Sequence, residues 1–313
     1  MALIYNPASG QYSARRAAAI QDAMDVLRSA GIKTEEFLTD GVGSATVCAK
    51  QAIAAGCDAV IACGGDGTVH EVVQSLVGTN VALGVIPLGT ANALASNLGL
   101  IGTPAKVTRQ LLGATPRRLP VGQIHYNDNT GKPDSRYFVV AAGVGADALL
   151  MSRMDAGRKR RLGYILYLME AFRIWATDPF PLFQAAFTKN GHDSARVAEV
   201  SQLLAVRVRS FGGVLRELAP GATLHNGKLN LLAFKTSNRL RYLSFLLAVI
   251  AGRHKFLGDI ELWDATSVEC KPRNGSTAPI FVEADGEVLG SLPVRLEVVP
   301  DALTVLIPDG ANP

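Results

Sequence analysis

The chain has 313 residues, of which 48% are hydrophobic, 19% charged and 6% aromatic. That apolar fraction excludes an intrinsically disordered chain, and the length exceeds what one hydrophobic core usually organises, so two domains are expected. A net charge of +4 is small for the size and gives no reason to expect a nucleic-acid partner.

The first third alternates short apolar runs with helical patterns. Ala2–Tyr5 reads as a strand that breaks at Asn6-Pro7-Ala8-Ser9-Gly10, a cluster of turn formers. Ser13–Ala30 reads as a helix, with Ile20, Met24 and Leu27 at helical spacing and Gly31 as its stop. A strand over 33–38, a helix over 44–55 and a continuous apolar strand over 58–63 follow. Gly64-Gly65-Asp66-Gly67-Thr68 comes next, then a helix over 69–76. A strand over 81–86 runs into Pro87-Leu88-Gly89-Thr90-Ala91-Asn92, with a further helix from Ala93. The alternation predicts a parallel α/β sheet with helices on both faces. Ligands of such sheets sit at the carboxyl ends of the strands, where three small-residue loops (6–10, 64–68 and 87–92) would gather.

After Leu119-Pro120 strand-like runs dominate: 136–142, 182–188, 201–208, 228–234, 259–269, 280–283 and 295–299. Asn190-Gly191, Asn226-Gly227, Asn274-Gly275 and Asp285-Gly286 supply turn signals between them. This predicts a mainly antiparallel β-sandwich interrupted by helices near 162–175 and 240–250. The domains are therefore expected at 1–120 and 121–313, with a C-terminal segment returning to the first and a ligand cleft between them.

Cys48, Cys57, Cys63 and Cys270 form no CxxC pair and no zinc-spaced set, and read as buried thiols of a reducing compartment. The N-terminus has no signal-peptide pattern. The longest apolar stretch, 242–252, falls short of the about 18 residues that a membrane span needs. A cytoplasmic protein is expected, one that visits a membrane surface transiently.

The glycines of 64–67 would let backbone N–H groups approach an anion at a helix N-terminus, which is a phosphate-binding arrangement. Asp66 among them suits Mg²⁺ or a hydroxyl nucleophile rather than a phosphate. No Gly-x-x-x-x-Gly-Lys-Ser/Thr occurs, and Gly143-Val144-Gly145 lacks the third glycine of a dinucleotide fingerprint.

Gly64-Gly65-Asp66-Gly67-Thr68-Val69-His70-Glu71 resembles the Gly-Gly-Asp-Gly-Thr-x-Asn-Glu signature of the diacylglycerol kinase catalytic domain, a family that includes soluble bacterial lipid kinases and sphingosine kinases. Residues 87–95 resemble its second signature, and Asn6-Pro7-Ala8-Ser9-Gly10 its N-terminal loop. Gly143–Ala148, Pro220–Leu229 and Asp285-Gly286-Glu287 resemble later stretches in the same order. The resemblance implies a nucleotide-binding α/β domain followed by a β-sandwich. It also implies an ATP- and Mg²⁺-dependent kinase that phosphorylates a lipid hydroxyl in phospholipid metabolism. Carried over, Asn6, Ser9, Gly10 and Thr39 contact the nucleotide. Gly64, Gly65, Asp66, Gly67, Thr68, Glu71, Gly89, Thr90 and Asn92 make up the phosphate motifs, with Asp66 near Mg²⁺. Glu287 or Asp285 is the base that deprotonates the lipid.

Three departures stand out. His70 replaces an Asn, and Ala146 an aromatic. Asn226 replaces an Asp that in bacterial members holds a structural Mg²⁺ with carbonyls at the positions of Thr223 and Lys228. A neutral amide binds Mg²⁺ far more weakly than a carboxylate, so that second site is expected to be degraded.

A membrane contact is expected at Arg158, Lys159, Arg160 and Arg161, a basic run before an apolar helix; Arg239-Leu240-Arg241 before another apolar helix repeats the theme. A homodimer through exposed strand edges is a further expectation. Two other functions remain open on the residues. Gly-Gly-Asp-Gly also occurs in NAD kinases and phosphofructokinases, and the Asn226 change would suit a catalytically weak nucleotide- or lipid-binding pseudokinase.

Overall fold

The computed structural model describes residues 1–7, 13–128, 130–154, 169–189, 196–211, 218–250, 258–275 and 278–311. Ser9, Gly10, the basic run 158–161 and the turn at 190–191 lie outside them. The chain divides into two compact units, Met1–Val121 with Ser210–Gly212 and Pro300–Pro313, and Gly122–Arg209 with Gly213–Val299.

In the first unit, β1 (Ala2–Tyr5), β2 (Glu35–Leu38), β3 (Ala59–Gly64) and β4 (Ala82–Pro87) form a parallel sheet in the order β2-β1-β3-β4. The helices between them are α1 (Ser13–Ser29), α2 (Ser44–Ala54) and α3 (Asp66–Leu76); α4 (Ala93–Asn97) and α5 (Pro104–Leu112) follow. Every residue of β3 is buried, as its unbroken apolar run requires of a strand covered on both faces. Thr103 caps α5 by accepting from the Lys106 N–H, and Pro104 opens the helix, where a missing N–H costs nothing.

The start of α3 differs from expectation. The helix begins at Asp66 rather than at 69, because Gly65 in extended geometry acts as the N-cap and its carbonyl accepts from Val69. Asp66-Gly67-Thr68 is therefore the first helical turn.

In the second unit, β5 (Thr115–Asn127), which enters from the first unit, pairs antiparallel with β6 (Pro133–Phe138). Next come β7 (Ala141–Gly145), α6 (Ala146–Arg153) and a helix α7 whose described residues are 169–177. The strands β8 (Phe183–Thr188), β9 (Arg196–Val200), β10 (Gln202–Val206) and β11 (Leu229–Phe234) precede α8 (Arg239–Ile250). The chain then forms β12 (Ile260–Ala265), β13 (Ser267–Pro272), β14 (Phe281–Ala284), β15 (Glu287–Ser291) and β16 (Val294–Ile307).

One antiparallel sheet has the order β12-β11-β10-β7-β14-β15, and the other contains β16-β13-β8-β9 with β5 and β6. Alternate residues of both sheets build one core: Val144, Leu203, Leu231 and Val282 from the first, Phe183, Ala185, Val268 and Leu296 from the second. The architecture is thus a parallel α/β unit and a β-sandwich unit.

Two runs that read as single strands are pairs of strands in different sheets. The run 259–269 breaks at Thr266, whose N–H and hydroxyl both donate to the Thr188 carbonyl. The run 136–142 breaks between β6 and β7. From residue 300 onward β16 belongs to the first unit, where Val305 pairs in parallel with Leu83 of β4. All four cysteines are free and buried.

Gly122 sits opposite Phe138 in the β5–β6 pair, and the aromatic ring occupies the place of the missing Cβ. Gly122→Ala is expected to lower stability by about 1–3 kcal/mol, because the fully buried ring must move. Thermal unfolding would show this as a Tm several degrees below that of the wild type.

Candidate active site

The residues singled out in the sequence form two groups, one in each unit. In the first unit the loop after β3 and the loop after β4 lie against each other. A Cβ on Gly89 would stand 2.6 Å from the Gly65 Cα, and one on Gly65 would stand 3.3 Å from the Gly89 Cα. Two glycines are therefore needed where the loops cross. The Leu88 N–H donates to the Gly64 carbonyl at 2.9 Å.

Asp66 joins the loops a second time. Its Oδ2 accepts from the Asn92 N–H at 2.9 Å and its Oδ1 from the Ala93 N–H at 2.7 Å. Asn92 has φ 50 and closes its own loop, accepting from the Gly89 N–H at 2.9 Å and donating to the Gly89 carbonyl at 2.8 Å. The Thr68 side chain packs over Gly64, and Thr90 is exposed at the tip of the second loop.

The N–H groups of the first turn of α3 have no partner within the helix, and its N-terminus favours an anion. Helix α3 thus offers phosphate oxygens donors on a rigid base. Arg16 of α1, which the sequence reading missed, donates its Nη2 to the Leu88 carbonyl at 2.7 Å and sets a cation beside the same loop.

Glu71 has a different place from the one its motif suggests. Its Oε1 accepts from the Gly43 N–H at 2.8 Å and its Oε2 from the Ala45 N–H at 2.9 Å. The carboxylate holds the start of α2, so Glu71 acts as scaffold. His70 is buried, and its carbonyl accepts from the Gln74 side chain. Thr39 is buried beyond β2, its N–H bonded to the Tyr5 carbonyl; Asn6 directly follows β1.

In the second unit Asp285 and Gly286 join β14 to β15 with φ of 48 and 87, as a two-residue hairpin with left-handed turn residues requires. The Asp285 carboxylate accepts three backbone N–H bonds, from Val139 at 2.9 Å, Val140 at 2.9 Å and Ala141 at 3.0 Å. Glu287 follows at the first position of β15, half-buried.

Beside the turn lies an acid pair that the sequence reading did not find. Glu283 is buried and faces Gly143 across the strand pair. A Cβ on Gly143 would stand 2.6 Å from Asp147 Oδ2 and 2.8 Å from Glu283 Oε1, so the glycine makes room for both carboxyl groups. Burial first, and then the charge of Asp147, raise the Glu283 pKa well above the usual carboxylate range. Burial likewise raises that of Asp147. Glu283 Oε2 accepts from the Gly286 N–H at 2.7 Å. The available signal was a lone acidic residue inside the apolar run Phe281-Val282-Glu283-Ala284.

The structural metal site does not fit this chain. The Thr223 carbonyl accepts from the Asn226 N–H, and the Asn226 side chain donates to Asn230 Oδ1 at 3.2 Å. The Lys228 carbonyl accepts from Arg207.

Comparison with known proteins follows the same division. The family profile of the diacylglycerol kinase catalytic domain matches residues 1–124. That of the YegS C-terminal NAD kinase beta sandwich-like domain matches residues 139–307. The chain belongs to this lipid kinase family. A relative named "Probable lipid kinase YegS-like" from Chromohalobacter salexigens is 30% identical, over 93% of this chain and 89% of its own. The diacylglycerol kinase of Mycobacterium tuberculosis is 29% identical over 97% of this chain and 93% of its own. Among solved structures, a Bacillus anthracis diacylglycerol kinase superimposes with a TM-score of 0.70 at 19% identity, covering 99% of this chain and 97% of the other; this is a likeness of fold.

The acid pair carries a pH prediction. A carboxyl group whose pKa is raised by folding stabilises the native state below its unfolded pKa, and that stability is lost as pH rises through the native value. Glu283→Gln keeps an acceptor for Gly286 and carries no charge at any pH. Its Tm is expected to exceed that of the wild type by a few degrees at about pH 8.5, with the difference shrinking toward about pH 5. Parallel melting curves for the two proteins at every pH would sink the assignment.

Proposed function

We propose that this member of the family is an ATP-dependent, Mg²⁺-requiring kinase that transfers the γ-phosphoryl group to a hydroxyl of a lipid such as diacylglycerol or a sphingoid base. The observation that supports it most is the clamp of Asp66 on Asn92 and Ala93, which sets two glycine loops together at the N-terminus of α3. ATP supplies the transferable group, and Mg²⁺ neutralises the phosphate charge when both are bound. The residues present suit such a ligand. Gly65, Gly67, Thr68 and Thr90 line the phosphate loops, and Asp66 is the carboxylate that would hold the metal, which commonly takes only one or two from protein.

Phosphoryl transfer asks chiefly for positioning and charge neutralisation. The glycine contacts and the Asn92 loop lock do the positioning, and Arg16 adds a positive charge. Glu287 receives the proton of the attacking lipid hydroxyl, and Asp285 holds the turn on which Glu287 stands. The 87–95 segment and the late Asp285-Gly286-Glu287 turn favour a lipid over NAD or a sugar as acceptor.

Access to the lipid is proposed through peripheral contact. Met169 and Phe172 of α7 and Leu240 and Leu247 of α8 are exposed apolar side chains. The two helices are joined by the Trp175 indole and the Arg239 guanidinium, which donate to the Arg239 and Ala176 carbonyls respectively. No helix among the described residues is long and apolar enough to cross a membrane.

Two experiments test the reading. Asp66→Asn and Glu287→Gln should each lower lipid phosphorylation by about 10²-fold or more, measured with labelled ATP, Mg²⁺ and mixed vesicles followed by mass spectrometry of the extracted lipids. Label in NAD or a sugar, or ordinary activity in both variants, would overturn it. Neutralising the four basic residues 158–161 should weaken sedimentation with anionic vesicles by up to about 10³-fold, at roughly 1 kcal/mol per basic residue.

A further inference from the structure

Arg207 is an unusual residue to find in the second unit's interior. It directly follows β10 in the apolar run Val206-Arg207-Val208 and is fully buried. Its guanidinium reaches one short stretch of chain. Nη2 donates to the Leu224 carbonyl at 3.2 Å and to the Asn226 carbonyl at 3.1 Å, and Nη1 donates to the Lys228 carbonyl at 3.3 Å. Three carbonyls drawn from five consecutive residues thus turn toward one point. Carbonyl oxygens gathered in this way make a site for a cation, and here a side-chain cation fills it.

The charge is kept at neutral pH. Burial pushes the Arg207 pKa down to about 10, and the negative charge of Asp285 opposes that fall. The backbone continues the connection. The Arg207 N–H donates to the Val140 carbonyl at 2.9 Å, while the Val140 N–H donates to Asp285. One chain of bonds therefore runs from the 224–228 loop through Arg207 and Val140 to the Asp285 turn that carries Glu287.

We propose that Arg207 is a tethered cation that organises the 224–228 loop in place of a bound divalent metal, and so acts as a positioning residue for the Asp285–Glu287 turn. The neutral Asn226 agrees with this: with a fixed guanidinium on its carbonyl, the loop needs no metal and so no carboxylate to hold one. The effect on Glu287 rests on the kinase reading above, whereas the replacement of the metal does not.

The test uses thermal unfolding of the full chain without nucleotide, in excess EDTA and in millimolar Mg²⁺ or Ca²⁺. Wild-type protein should melt at the same temperature in all three. Arg207→Met leaves three carbonyls without their donor and should lower Tm in EDTA by more than about 5 °C. Adding Asn226→Asp to it should restore part of the loss, in Mg²⁺ or Ca²⁺ only.

If Arg207→Met does not fold, Asn226→Asp in the wild-type background decides: with the guanidinium in place its Tm should stay insensitive to the metal. A metal-dependent rise of several degrees in wild-type protein or in Asn226→Asp would overturn the proposal, as would an unchanged Tm in Arg207→Met. If lipid phosphorylation is first established, Arg207→Lys should retain more of kcat than Arg207→Met with KM for ATP unchanged. A failure of that arm alone, with the metal results as expected, would count against the kinase reading or the link to Glu287 and not against the tethered cation.

Discussion

Turns and helix starts leave backbone N–H groups with nothing to bond, and in this protein carboxylates supply the missing acceptors. Asp66 takes the N–H groups of Asn92 and Ala93, Glu71 those of Gly43 and Ala45, Asp285 those of Val139, Val140 and Ala141, and Glu283 that of Gly286. Each bond joins segments that are remote in sequence or closes a turn whose shape matters. Where the acceptor is charged, as at Asp66, Glu71 and Asp285, such a bond is stronger than one to a neutral group would be. The loops after β3 and β4, the start of α2 and the Asp285–Gly286 hairpin keep their shapes because of these four side chains.

The same pattern divides labour among the acidic residues of the signature motifs. Asp66, Glu71 and Asp285 are all engaged by backbone N–H groups, whereas Glu287 stands half-buried at the first position of β15. Arg207 is the counterpart with opposite sign, a buried cation serving carbonyls instead of a carboxylate serving amides. Both devices organise loops with side chains of the chain itself, so that the geometry is present before any ligand arrives.

The elements of the first unit were legible because a strand buried on both faces must be apolar throughout, as Ala59–Gly64 is, and because Gly31 and Gly56 have positive φ at the ends of helices. The breaks at Thr266 and between β6 and β7 were not legible. Such a corner depends on a partner strand, in one case on the Thr188 carbonyl, which local composition does not contain. At the site, glycines revealed where the backbone comes close. That Asp66 and Glu71 accept from backbone amides was hidden, since those donors arrive from residues 92–93 and 43–45. Glu283 and Arg207 did leave a trace, each a solitary charge in an apolar run, a position that burial permits only to a group with partners.

The route of β16 limits how this family member can be taken apart or recombined. Its residues from 300 onward supply the strand beside β4, so the first unit is assembled from stretches of chain that the sandwich sequence separates. A fragment ending at residue 121 would expose the flank of β4 as an open sheet edge, an invitation to aggregate. Exchange of the sandwich between relatives, whether in evolution or in the laboratory, must therefore proceed as an insertion that leaves the last strand in place, and not as a fusion of two consecutive pieces.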